Sequence, residues 1–134
     1  RCVLATAVAA VVISCSTPNS EASFCEASIE LQKVDALSLE VSPSDDAAAR
    51  GALTQTAAQA ARVAREAPLE IRTDAELVAA FVLALTNAIN NTNFEDPLER
   101  AAAIGDTQEQ FKDQLSNAVT NLAAFTARTC SPAP

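Results

Sequence analysis

The chain has no His, no Met, no Trp and no Tyr, and only 2 Gly in 134 residues. Each gap excludes some chemistry. Without His there is no Ser-His-Asp triad, no Cys-His pair and no imidazole metal ligand. Two glycines cannot build the Gly-rich cradle of a dinucleotide or P-loop phosphate site. The only aromatic residues are 5 Phe, so the stacking platforms that bind single-stranded nucleic acid are missing. Positive charge is also scarce. Lys and Arg number 9 against 17 Asp and Glu, a formal net charge of −8. A surface of that sign repels phosphate backbones and anionic bilayers, so no nucleic-acid partner is expected. No stretch alternates apolar and polar residues with β-branched enrichment, which excludes strands. Alanine is what the chain has in excess, 30 residues, and alanine is the strongest helix former. The length supports one domain.

At the N-terminus, Arg1 precedes an apolar run from Cys2 to Ile13, 12 residues long. A bilayer span needs about 20. A charge, a short Ala/Val-rich run and a small residue before a break form the pattern of a secretory signal peptide. The break itself is Val12-Ile13-Ser14-Cys15. It resembles the lipobox of bacterial lipoproteins, with Val at a first place where Leu is commoner. The resemblance covers residues 1–15 only. It implies that the Cys15 thiol receives a diacylglyceryl group and that residues 1–14 are then removed as signal, leaving a net charge of −9 without Arg1. Two acyl chains give stable attachment to a membrane, on its extracytoplasmic face. The residues alone also allow an ordinary secretory signal, with Cys15 incidental and the protein secreted. Residues 15–22 are polar after the Cys and read as a flexible tether.

Cysteine usage follows from this. Of 4 Cys, Cys2 leaves with the signal and Cys15 carries lipid. Cys25 and Cys130 remain, in a compartment that permits disulfides. Their spacing fits neither a zinc knuckle nor a C-x-x-C redox motif, so a structural disulfide is expected.

The domain, residues 23–130 before a disordered tail at 131–134, reads as all-α. Ser23-Phe24-Cys25-Glu26 and Thr73-Asp74-Ala75-Glu76 are capping boxes. Asp96-Pro97-Leu98-Glu99 and Asp106-Thr107-Gln108-Glu109 are Asp-led variants, Ser42-Pro43-Ser44-Asp45 interrupts the pattern and restarts it, Asp45-Asp46 reads as solvated capping, Pro97 suits the first helical position, and Ala67-Pro68 ends a helix. The periodicity predicts helices over 24–41, 45–66, 74–92, 97–104 and 107–129, with Gly105 as a left-handed C′ residue closing the short fourth one. Apolar stripes run along Phe24, Ala27, Leu31, Val34, Leu37 and Val41, and along Phe111, Leu115, Ala118, Val119, Leu122 and Phe125. The second helix presents Ala49, Leu53, Ala57, Ala60 and Ala64. The third, with Leu77, Val78, Phe81, Val82, Leu85, Ala88 and Ile89, is the most apolar and is expected to be the most buried. Short connections favour an up-down-up-down bundle with a short extra helix. That order brings Cys25 and Cys130 to one end, where the disulfide closes it. The 67–73 loop shares that membrane-proximal end, and the 93–106 segment is distal.

Candidate sites are few. Asn91, Asn93, Phe94 and Glu95 form a possible distal contact loop, or simply a helix end and an Asx cap. The loop lacks EF-hand spacing, so no calcium site is expected there. Glu26 with Glu30, and Glu95 with Glu99, are acid pairs at helical spacing, better suited to first turns than to catalysis. Arg62, Arg65 and Arg72 are the one basic cluster, fit either for lipid headgroups or for a helix C-terminus. No catalytic residue, metal or cofactor is expected. The sequence therefore points to a lipid-anchored, non-catalytic interaction or accessory module of the bacterial cell envelope, with an envelope protein as partner. The alternative is a carrier or sensor holding a small apolar ligand or lipid between helices, which a closed Ala-packed core would argue against. A carboxylate-only enzyme is the third.

Overall fold

The structure is a computed structural model and describes residues 21–39, 45–93 and 95–131, with the side chains of 34–39 left aside. The apolar run, Cys15, the tether up to residue 20, Phe94, residues 132–134 and the side chains of Val34, Leu37 and Val41 lie outside the described residues.

Four helices form: α1 Glu21–Leu39, α2 Asp46–Glu66, α3 Arg72–Asn90 and α4 Pro97–Thr129. No strand occurs among the described residues. Two of the starts follow the local chemistry read from the sequence. Asp45 caps α2 by accepting from the Ala48 amide at 3.0 Å. Asp96 caps α4 by accepting from the Leu98 and Glu99 amides, both at 3.0 Å, with Pro97 behind it. Ala67, extended ahead of Pro68, ends α2. The other two starts differ. α1 begins at Glu21, inside the segment read as tether, so the Ser23 box falls within its first turn. α3 begins at Arg72 behind Ile71, with no side-chain cap. Ile71 is buried in the core, so packing fixes that entry rather than a hydroxyl.

The short extra helix does not exist as a separate element. Residues 97–129 are one 33-residue helix, and Gly105 lies inside it without a positive φ. An interior Gly costs about 1 kcal/mol. Ending the helix there would expose two sets of orphan backbone groups. Ala101, Ala102 and Ala103 favour continuation, and the Thr107 hydroxyl folds back onto the Ala103 carbonyl at 2.8 Å instead of capping a new start.

The helices run antiparallel in sequence order. The end of α2 meets the start of α1 through Arg62 and Glu26 at 3.1 Å. The start of α2 meets the end of α3 through Arg50 and the Ile89 carbonyl at 2.9 Å. α3 and α4 meet through Asp74 and Asn121 at 3.2 Å and through the Phe81 and Phe111 rings, edge to face at 5.5 Å. The expected up-down-up-down bundle is the observed one. The bridge between Cys25 and Cys130 is present, with Cα atoms 5.2 Å apart.

Burial is concentrated at that bridged end. Phe24 is fully buried and meets Phe125 edge to face at 5.5 Å. Ala27, Val63, Ala64, Ala67, Ile71 and Ala75 complete the cluster. The expectation that α3 would be the most buried helix is not met. Only Ala75 and Thr86 of α3 are buried, and Leu83 is 53% exposed. The reason is geometric. α1 and α4 touch little, which leaves Val78 and Val82 on the gap between them, while Leu83 lies on the α2–α3 side beside Ala57, Ala58 and Ala61, whose small side chains cover little of it.

The continuous α4 generates a prediction with a definite sign. Nothing lies within 4 Å of a Cβ built at Gly105. Gly105→Ala should therefore stabilise the protein by about 1 kcal/mol, read as a higher midpoint in denaturant. A left-handed C′ glycine at that position would make the same substitution destabilising.

Candidate functional site

The gap between α1 and α4 is an apolar cleft of about 710 Å³. All four helices line it. α1 contributes Ser28, Ile29, Leu31 and Gln32, and α2 contributes Thr56, Ala60 and Val63. Val78 and Val82 come from α3. α4 contributes Val119, Leu122, Ala123, Thr126 and Ala127, and Cys130 and Ser131 close the bridged end. Val119 to Cys130 spans about 16 Å at 1.5 Å per residue. The volume falls inside the ~300–1,000 Å³ range of small-molecule sites.

The sequence explains why the cleft is there. α2 offers Ala and Thr where the other helices offer Val and Leu, and small side chains cannot span the gap left as α1 and α4 diverge. At the bridged end Phe24 and Phe125 supply the missing volume and close the floor. Further along, no described side chain of that size points inward between α1 and α4, and Val119 and Ile29 are 48% and 46% exposed.

The cleft is mainly apolar, and its polar side chains are Ser28, Gln32, Thr56, Thr126 and Ser131. Its described lining contains no charged side chain. Thr126 turns its hydroxyl back to the Leu122 carbonyl at 2.8 Å, and Thr56 turns its own to Ala52 at 2.9 Å. Ser28 differs. It is 6% exposed, and its Oγ is buried with no hydrogen-bond partner among the described residues. A buried hydroxyl without a partner is energetically costly. Ser28 was not singled out in the sequence, since a lone Ser on a helix has no motif.

The acids and bases read from the sequence are occupied in pairs. Glu26 pairs with Arg62 at 3.1 Å, and Glu30 with Lys33 at 2.8 Å. They lie on α1 but do not converge on each other in a concave site. Arg72 donates from Nε and Nη2 to the Ala67 carbonyl at the end of α2, at 3.2 and 3.0 Å. The basic cluster thus serves helix ends and an interhelical pair in two of its three members. The sequence reading missed Arg50, which pairs with Asp46 and donates to the Ile89 and Thr92 carbonyls, pinning the end of α3 to the start of α2.

The distal loop is a capping turn in its described parts. The Asn91 amide reaches the Asn87 carbonyl at 3.1 Å. The Asn93 side chain accepts from the Glu95 amide at 3.1 Å, and the Glu99 carboxylate accepts from the Asn93 amide at 3.1 Å. Phe94 lies outside the described residues. No group of three or more His, Cys, Asp or Glu that could hold a metal occurs among the described residues. Cys25 and Cys130 are both consumed by the bridge.

No family model, curated protein or solved structure matches the chain.

The α1 ion pair sets a pH dependence. The hydrogen bond and charge of Lys33 hold the Glu30 carboxyl below its ordinary 4.5, with Arg62 adding to the effect. The pair is fully formed above 4.5 and is lost as pH falls through the lowered folded-state value. NMR titration should place the Glu30 midpoint below 4.5, and Lys33→Ala should raise it towards that value. Glu30 is exposed, so the change in global stability should be slight.

Proposed function

We propose that the chain is a lipid-anchored, non-catalytic binding module of the bacterial cell envelope, and that its four helices take a small apolar ligand in the cleft between α1 and α4. The observation that carries this reading is the cleft itself, with its apolar walls on all four helices, its closed floor and no charged side chain in its described lining. A closed alanine core would have argued for a surface-only accessory role with an envelope protein partner. The open cleft favours the carrier or sensor reading. Carboxyls engaged with Lys and Arg on the exposed face of α1 give no support to acid/base catalysis.

The anchor rests on the resemblance of Val12-Ile13-Ser14-Cys15 to a lipobox. No helix among the described residues is long and apolar enough to cross a membrane, which is compatible with attachment through lipid. α1 starts at Glu21, so a lipid on Cys15 would be followed by a short linker and then directly by the bridged end of the bundle.

Intact-mass measurement of the protein extracted gently from its native membrane tests both parts. The reading predicts a chain starting at Cys15 with a diacylglyceryl mass and an intact Cys25–Cys130 bridge, and a further small mass that is lost on denaturation. An unlipidated chain would overturn the anchor. A lipidated chain that carries no ligand, and that gains none when offered neutral apolar compounds, would overturn the carrier reading and leave the protein-partner role.

A further inference from the structure

The geometry points to a specific ligand class for the cleft, an inference that rests on the binding role proposed above. We infer that the cleft takes a neutral, elongated apolar molecule with a single hydroxyl or carbonyl oxygen, buried at the bridged end and paired with the Ser28 hydroxyl.

Three observations converge on this. First, the Ser28 hydroxyl is the one buried side-chain polar atom of the cleft lining without a hydrogen bond among the described residues. The other buried unpartnered atom, Gln59 Oε1, is not in the lining. The two threonines of the same lining satisfy their hydroxyls on their own helices. Ser28 is not so committed, it belongs to the cleft lining, and its hydroxyl can both donate and accept. Second, Ser28 lies one helical turn beyond Cys25, near the closed floor made by Phe24 and Phe125. A ligand oxygen that reaches it must be at the buried end of the molecule. The wet mouth then receives the apolar end or a second polar group. Third, the site offers no counter-charge. No charged side chain is in its described lining; Lys33 and Arg62 are paired with Glu30 and Glu26, and Arg128 sits over the Phe125 ring at 5.9 Å, outside the lining. The protein as a whole carries −8. An ionised carboxylate or phosphate carried to Ser28 would be buried without a partner, which is prohibitive. A hydroxyl or carbonyl oxygen forms one hydrogen bond there and needs no more.

Ser28 therefore acts as a selectivity group. A hydrocarbon can fill the same volume, but it leaves the hydroxyl unpaired. Sites built around a polar group discriminate against ligands that cannot pair with it.

The test uses displacement of the neutral fluorescent probe N-phenyl-1-naphthylamine from the disulfide-intact protein. Dodecane, 1-dodecanol and dodecanoate compete in turn at neutral pH, against the parent protein and Ser28→Ala. The quantity read is the preference for the alcohol over the alkane. It should fall by about tenfold in Ser28→Ala, the effect of one buried hydrogen bond, and dodecanoate should be the weakest competitor in both proteins. Ser28→Ala removes an unpartnered hydroxyl in favour of a better helix former, so it should fold with equal or higher thermal stability, and circular dichroism checks this. An alcohol preference that is the same in both proteins overturns the inference and leaves the cleft as a binding site. Dodecanoate binding as tightly as the alcohol, and indifferent to Ser28→Ala, also overturns it, since the head group must then sit at the mouth. Failure of the probe and all three competitors to bind the parent protein defeats the proposed binding role and this inference with it.

Discussion

Adjacent residues on α1 close one end of this bundle twice over. Phe24 packs edge to face on Phe125, and Cys25 is bonded to Cys130. The ring contact supplies the largest fully buried side chain of the described structure. The bridge joins residues 105 apart in sequence, and a covalent loop of that length removes about 4–5 kcal/mol of chain entropy from the unfolded state on the entropic account. The remainder of the fold is organised around this closure. Ala67 and Ile71 place the α2–α3 turn in the same cluster, so all four helices are gathered at one end. Away from it, contact between α1 and α4 is sparse.

Alanine explains both halves of the structure. Where Ala27, Ala64, Ala67 and Ala75 surround the two rings, small side chains let the backbones approach and the phenylalanines fill the space. Where no large side chain enters, the same smallness leaves volume unfilled, and the cleft is the result. Protein interiors are ordinarily packed to near-crystal density. An apolar gap of this size, lined by half-buried Val and Leu, costs stability that a well-filled bundle would retain. The disulfide across the floor offsets part of that cost. This physical logic links composition to the proposed role.

Much of the fold was legible in the sequence, because the signals that encode it are local. Asp45 and Asp96 cap the helices they precede, Pro68 follows the helix it stops, and Ala118 and Phe125 of the last apolar stripe are buried, while its Val119 is exposed. The bridge followed from counting cysteines, and the helix order placed both partners at one end. The errors arose where a local signal lost to the wider context. Gly105 and Asp106 look like a stop and a start, yet helix continuity costs less than two sets of unpaired backbone groups. The apolar excess of α3 looks like deep burial, yet burial depends on what covers a face, and periodicity cannot show that α1 and α4 diverge. A ligand-holding gap between helices was among the readings of the sequence, but its place between α1 and α4, and Ser28 within it, were illegible for the same reason. A cavity is a property of several helices together, and a serine gains meaning only from the residues opposite it. Arg50, which binds carbonyls about 40 positions away, has no local signature at all.

The central claim is that one closed end holds the bundle and that α1 and α4 leave an open cleft away from it. Amide hydrogen exchange read residue by residue tests it most directly, because slow exchange follows local stability. The account predicts the slowest amides around Phe24–Ser28, Ala60–Ala64 and Ala118–Phe125, with progressively faster exchange towards the start of α2 and the first turns of α4. Reduction of the Cys25–Cys130 bridge should accelerate exchange in α1 and at the end of α4 first. Uniform protection along all four helices, or protection greatest at the unbridged end and indifferent to reduction, would contradict it.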